Sequence, residues 1–122
     1  MASRVLVIDD LRVFKPDWER HTDVTYARTP NEGVNLLKPD HWDIVVLDHD
    51  MGIDYNTGEF LDIWPVVKVL EEQHEDFANL EVWIVTSNPV AGQRMANALE
   101  SKYDVFVLGE GEKSNLFTYL DW

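Results

Sequence analysis

The chain has 122 residues, no cysteine, and 23 acidic against 10 basic side chains, which gives a formal net charge of −13. Its length suits a single domain over residues 1–122, and the missing thiols exclude a disulfide framework and a thiolate metal site. No apolar run approaches the roughly 18 residues of a membrane span, and the N-terminus lacks the pattern of a signal peptide. We therefore expect a cytoplasmic protein. Its acidity disfavours direct binding to nucleic acid or to a membrane, and favours hard cations or a basic protein partner.

Five short apolar runs recur along the chain, and they are rich in β-branched residues with little alternation. Such runs are typical of strands buried on both faces of a parallel sheet. Helical signals separate the runs, and this alternation predicts βαβ units in an α/β fold with a doubly wound, five-stranded parallel sheet. In chain order the predicted strands are Val5–Ile8, Val24–Ala27, Ile44–Leu47, Val82–Val85 and Val105–Leu108.

Two predicted helices begin with clear capping signals. Thr29–Glu32 forms a capping box with proline at the first helical position, and Asn88 precedes Pro89 in the same manner. A third helix is predicted over Phe60–Leu70, kinked or divided at Pro65. The remaining two are a last helix capped by Ser114 and a short or irregular first helix over Leu11–Arg20.

Acidic and hydroxyl side chains follow the predicted strands at their carboxyl ends, where open parallel sheets bind ligands. Asp9 and Asp10 follow the first strand, Asp48 follows the third, and Thr86, with Ser87 as the alternative, follows the fourth. With strand order 2-1-3-4-5 the three aspartates would lie close together. Carboxylates that share a pocket repel each other, and a cation such as Mg²⁺ relieves that repulsion. The alternative is a set of solvated loop acids beside helix N-termini.

The segment LDHDMG at 47–52, with Thr57-Gly58 and the partial match VTSNPV at 85–90, resembles the cyclic-phosphate processing receiver domain. This divergent, phage-associated group belongs to the response-regulator receiver superfamily, and the resemblance covers nearly the whole chain. It implies a flavodoxin-like sheet with strand order 2-1-3-4-5. If the protein is viral, its location would be the host cytoplasm.

The resemblance also implies roles for individual residues. Asp9, Asp10 and Asp48, with the backbone carbonyl of Asp50, would hold Mg²⁺ or alternatively Mn²⁺. Asp48 would be the phosphoacceptor, and Thr86 would contact the phosphoryl group. The resemblance therefore implies that Asp48 is phosphorylated in a reaction that depends on Mg²⁺.

Three positions complicate this assignment. Val85 stands where the divergent group has a histidine, and no lysine follows the fifth strand directly, since Lys113 comes only in or near the last helix. Both departures weaken an enzymatic function. His49 stands between two acids and is a candidate general acid. Alternation along a strand would point it away from Asp48, so a packing role is the alternative.

Three functions stay open. The first is a stand-alone receiver-like regulatory domain with a Mg²⁺ pocket and a phosphoacceptor at Asp48, acting through a protein partner. The second is an interaction-only pseudo-receiver whose acidic surface binds a basic partner. The third is a metal-dependent enzyme that acts on phosphate esters or cyclic phosphates. The sequence leaves the oligomeric state undetermined.

Overall fold

A central sheet of five parallel strands runs through the computed structural model, which describes residues 3–10, 12–15, 22–53, 56–77, 79–86 and 88–119. The strands of this sheet are β1 (Ser3–Ile8), β3 (Thr22–Ala27), β4 (Ile44–Leu47), β7 (Glu81–Ile84) and β8 (Asp104–Val107). They lie side by side in the order β3-β1-β4-β7-β8. When only these five strands are counted along the chain, this order is 2-1-3-4-5, so the predicted topology is confirmed.

Four α-helices are present in the described ranges, and two of them begin at the predicted caps. The Thr29 hydroxyl accepts from the Glu32 amide at 3.2 Å, and the Asn88 side chain accepts from the Ala91 amide at 3.1 Å. None of these helices combines the length and the apolarity that a membrane span requires. The helices are α1 (Pro30–Leu36), α2 (Trp64–Glu72), α3 (Pro89–Leu99) and α4 (Glu110–Leu116), with a 3-10 turn at His74–Phe77.

The helix predicted over Phe60–Leu70 is shorter than expected. Its first residues form β6 (Phe60–Asp62), which pairs antiparallel with β5 (Asp50–Ile53). Helix α2 begins only at Trp64, so Pro65 lies in the first turn, where its missing N–H would have no helical partner anyway. The predicted kink or division of the helix at Pro65 is therefore wrong.

A two-stranded antiparallel ribbon lies outside the main sheet. It pairs β2 (Arg12–Phe14) with β9 (Phe117–Tyr119), and the Phe14 ring stacks on the Phe117 ring with centroids 4.6 Å apart. The helix predicted over Leu11–Arg20 is therefore wrong for Arg12–Phe14, which form a strand. Apart from Lys15, the other residues of that prediction lie outside the described ranges. The last helix is capped at Gly109 rather than at Ser114.

Two apolar layers cover the two faces of the sheet. One layer packs Leu6, Leu47 and their face of the sheet against α2 and α3. The other places Val5, Val7 and Val46 against Phe14 and Phe117. Among the described residues, the ribbon formed by β2 and β9 therefore contributes Phe14 and Phe117 to the covering of this second face.

Candidate functional site

Three carboxylates meet where β1 and β4 end at the same edge of the sheet. Ile8 and Leu47 pair at the ends of these strands, and the Asp48 amide donates to the Ile8 carbonyl at 3.2 Å. Asp9, Asp10 and Asp48 each offer one oxygen, and these oxygens lie within 4.8 Å of one another. The structure therefore brings together the three side chains that the sequence predicted as neighbours, while their binding of a metal stays a prediction.

A guanidinium lies among these carboxylates. Arg12 Nη1 is 2.9 Å from Asp9 Oδ2 and 3.2 Å from Asp48 Oδ2, and the Arg12 amide donates to Asp9 Oδ1 at 2.9 Å. Asp9 is fully buried, and Arg12 and Asp48 are each 6% exposed. Salt screens buried pairs much less than exposed ones, so Arg12 neutralises part of the negative charge of the pocket.

Arg28 holds the backbone beside these groups. Its Nη1 donates to the carbonyl of Asp9 at 3.0 Å and to that of Arg12 at 2.8 Å. Its guanidinium also lies 4.6 Å from the centre of the Tyr26 ring, whose hydroxyl accepts from the Phe14 amide at 3.0 Å. These contacts tie β2 to the end of β1, so Arg12 enters the pocket from a well-anchored backbone.

Asp10 is the partly exposed member of the acidic group, and Gly52 lies against it. Burial and the nearby Asp9 carboxylate raise the pKa of Asp10 above its ordinary value. Gly52 has a φ of 83°, and a Cβ there would lie 3.1 Å from Asp10 Oδ2. Glycine adopts this conformation without strain. The last residue of the LDHDMG segment thus lets β5 approach the pocket closely.

A hydroxyl and an amine lie at the end of the neighbouring strand β7. Thr86 is buried, and its Oγ1 accepts from the Asn88 amide at 3.1 Å. Lys113, 7% exposed, donates from Nζ to the Thr86 carbonyl at 3.2 Å. Because α4 begins at Glu110, Lys113 lies one turn into the helix and extends back to the sheet edge. Lys113 thus lies in the last helix, as expected, and from there its ammonium group reaches the sheet edge that carries Thr86.

The other predicted site residues are less central. The His49 ring lies edge-on to the Trp64 ring, with centroids 6.5 Å apart, in the bend between β4 and β5, so a role as general acid stays a prediction. Asp50 begins β5, and a role for its carbonyl in binding metal also stays a prediction.

Two further predicted positions lie near the end of β7. Ser87 lies outside the described residues. Val85 is fully buried in the apolar layer that contains Phe14 and supplies no titratable group.

Sequence reasoning gave no site role to Arg12, Arg28 or Lys113. Every charged side chain that is buried within the described ranges belongs to this edge of the sheet: Asp9, Arg12, Asp48 and Lys113. One signal was available in the sequence, because Arg12 stands three residues after Asp9. Whether Lys113 reaches the sheet edge depends on where its helix begins. The predicted cap at Ser114 placed that start too late, because the helix begins at Glu110.

The fold and this site define a receiver domain of the response-regulator type. The receiver domain of Francisella response regulator 1452 shares 22% identity, with a TM-score of 0.58 over 90% of this chain and 85% of that one. Response regulator TrrA of Thermotoga maritima, in a complex with Mg²⁺-BeF, shares 16% identity, with a TM-score of 0.59 over 91% and 90%. A CheY-like receiver domain protein of Methanospirillum hungatei JF-1 shares 14% identity, with a TM-score of 0.56 over 90% and 83%.

Residues 4–101 match the family described as the cyclic-phosphate processing receiver domain, and the chain belongs to that family. The match includes the acidic group and Thr86, and it ends before Lys113. No curated protein sequence matches the chain. The resemblance predicted from the LDHDMG segment is thus confirmed at the level of the family.

Proposed function

We propose that this protein is a receiver-type regulatory module that binds Mg²⁺ in the acidic pocket and accepts a phosphoryl group on Asp48. The observation that carries the proposal is the arrangement of Asp9, Asp10 and Asp48 within 4.8 Å, beside the buried Thr86 and Lys113. Three carboxylates offer the hard oxygen donors that Mg²⁺ prefers, and Mn²⁺ would accept the same set. Residues 1–122 would form one domain of this kind.

In the proposed reaction, a carboxylate oxygen of Asp48 attacks the phosphorus of a small phosphodonor. A bond forms between that oxygen and phosphorus, and the bond to the leaving group breaks, so that the leaving group departs with the electron pair. Bound Mg²⁺ would supply neutralising charge for the phosphoryl oxygens. From this chain, Thr86 would offer its hydroxyl and Lys113 its ammonium at the same edge of the sheet, as fixed donors that stabilise developing charge.

The direct test is intact-mass measurement after incubation with acetyl phosphate and Mg²⁺. We expect the mass of one phosphoryl group to be added to the wild type and not to Asp48→Asn. We also expect Lys113→Met to slow the addition, because it removes the buried ammonium. A wild type that stays unmodified at saturating Mg²⁺ would contradict the proposal, provided that circular dichroism shows a folded protein.

Receiver domains generally act on protein partners, and we propose that phosphorylation at Asp48 changes docking to such a partner. The net charge of −13 favours a basic partner surface. Pull-down with phosphorylated and unmodified protein would test this idea, and capture that is indifferent to Asp48→Asn would favour the interaction-only alternative. The cytoplasmic location and the phage association stay predictions of the sequence.

A second candidate function follows from the family. Its description names cyclic-phosphate processing, and Arg12 and Lys113 supply two buried cations beside the acidic group. A metal-dependent phosphoesterase is therefore worth testing with cyclic and linear phosphoesters in the presence of Mg²⁺ or Mn²⁺. Turnover by the wild type that Asp48→Asn abolishes would support it. Val85 supplies no acid or base at its position, so the proton would need another carrier.

A further inference from the structure

We infer that Arg12 is a built-in cation that competes with the divalent metal ion for the carboxylates of the pocket. The inference rests on the Mg²⁺ site of the proposed function and adds a residue that controls its affinity. The protein would exchange one cation for another: the Arg12 guanidinium holds the pocket together in the resting state, and Mg²⁺ binds only as this guanidinium gives up its contacts.

The contacts of Arg12 use the oxygens that a metal ion would need. Asp9 Oδ1 accepts from the Arg12 amide and Asp9 Oδ2 from Arg12 Nη1, each at 2.9 Å. The same Nη1 lies 3.2 Å from Asp48 Oδ2. Both carboxylates of these contacts are buried. One side chain thus bridges the acids that follow β1 and β4, the two strands that form the pocket.

Charge makes the competition strong. Asp9, Asp10 and Asp48 carry three negative charges, and Arg12 compensates one of them. In a poorly solvated pocket each added positive charge lowers the attraction for a further cation far more than it does in water. Removing the guanidinium therefore leaves a more negative pocket, which should hold Mg²⁺ more tightly.

Arg12 is also held in place from outside the pocket. Arg28 donates to the Arg12 carbonyl at 2.8 Å, and Arg12 begins β2, which pairs with β9 from the other end of the chain. The Phe14 ring, stacked on Phe117, anchors the same strand in the apolar layer. The guanidinium is therefore presented by an ordered element, and its backbone contacts do not depend on the side chain.

The test measures Mg²⁺ binding by calorimetry in the wild type, Arg12→Met, Arg12→Lys and Arg4→Met. Methionine keeps much of the buried stem and removes the charge, so we expect Arg12→Met to lower the Kd for Mg²⁺ by on the order of tenfold. Lysine keeps the charge and loses the planar fork, so Arg12→Lys should fall between the two. Arg4 makes a half-exposed contact with Asp43 at 3.6 Å, and Arg4→Met should bind Mg²⁺ like the wild type.

A second readout covers the possibility that Arg12→Met folds poorly without metal. The melting temperature of Arg12→Met in EDTA should lie below that of the wild type, because Asp9 and Asp48 lose their contacts with the guanidinium. Mg²⁺ should raise this melting temperature by more than it raises that of the wild type. Arg12→Lys, which retains a counterion, provides a folded variant for the binding measurement in any case.

The outcomes separate this inference from the proposed function. Binding by the wild type with equal or weaker binding by Arg12→Met would overturn the role of Arg12 and leave the Mg²⁺ site standing. No binding by any folded variant would overturn the Mg²⁺ site itself, and the competition with it. Binding by Arg12→Met that the wild type lacks would support the inference, because it would show the guanidinium blocking the site.

Discussion

Substitution of Gly33 by alanine should destabilise the protein although alanine is the better helix former. Gly33 lies in α1, against the sheet, and a Cβ built there would lie 2.9 Å from two carbon atoms of Ile8 and 3.2 Å from Val66 Cγ2. Ile8 and Val66 are both fully buried, so neither side chain can move into solvent. The added methyl group must therefore displace packed core atoms.

Two opposing effects determine how much Gly33→Ala changes the free energy of unfolding. Inserting a methyl group into a well-packed core costs about 1 to 3 kcal/mol, and replacing glycine by alanine within a helix gains about 1 kcal/mol. We therefore expect Gly33→Ala to lower the free energy of unfolding by roughly 0 to 2 kcal/mol, with about 1 kcal/mol at the centre of this range. For a chain of this length, that loss corresponds to a fall in melting temperature of several degrees.

Gly111 provides the matched control, because it also lies in a helix and a Cβ there would meet nothing within 4 Å. Gly111→Ala should leave stability unchanged or raise it by up to about 1 kcal/mol. Urea unfolding followed by tryptophan fluorescence measures both variants. If Gly33→Ala proves as stable as Gly111→Ala, then Ile8 relaxes freely and the packing argument fails.

Three further substitutions test other parts of the molecule. Gly92→Ala would place a Cβ 3.1 Å from Thr86 Cγ2, which should displace the Thr86 side chain and slow phosphorylation in the intact-mass assay. An unchanged rate would show that the position of Thr86 is unimportant. Asn88→Ala removes the cap of α3 and should cost about 1 kcal/mol in urea unfolding, whereas unchanged stability would contradict the contribution of the cap. Burial raises the pKa of Tyr103 from 10.0 to about 12. Neutral Tyr103 therefore stabilises the fold fully below pH 10, and this contribution is lost as the pH rises toward 12. Tyr103→Phe should lose the hydrogen bond to the Leu70 carbonyl, at a cost of about 1 kcal/mol of stability at neutral pH. In urea unfolding at pH 10 to 12, this variant should lose less stability than the wild type. An equal loss in both proteins would show that Tyr103 is not the group that titrates.

Much of the fold could be predicted because its signals are local. Short β-branched runs separated by the caps at Thr29 and Asn88 are sufficient to indicate alternating strands and helices. Once the strands are parallel and in this order, Asp9 and Asp48 must emerge at the same edge, because the carboxyl ends of neighbouring parallel strands lie side by side. The acidic half of the site thus follows from the positions of residues within their own segments.

The basic half of the site was decided by tertiary structure. Arg12 reaches the carboxylates because β2 pairs with β9. These two strands are far apart in the sequence, and no local sequence pattern predicts that they pair. Lys113 reaches Thr86 because α4 begins at Glu110 and turns the side chain back toward the sheet. Sequence alone therefore determined where the negative charges gather. Only the packing of distant segments decided which positive charges meet them, because a buried ion pair depends on positions in space and not on spacing along the chain.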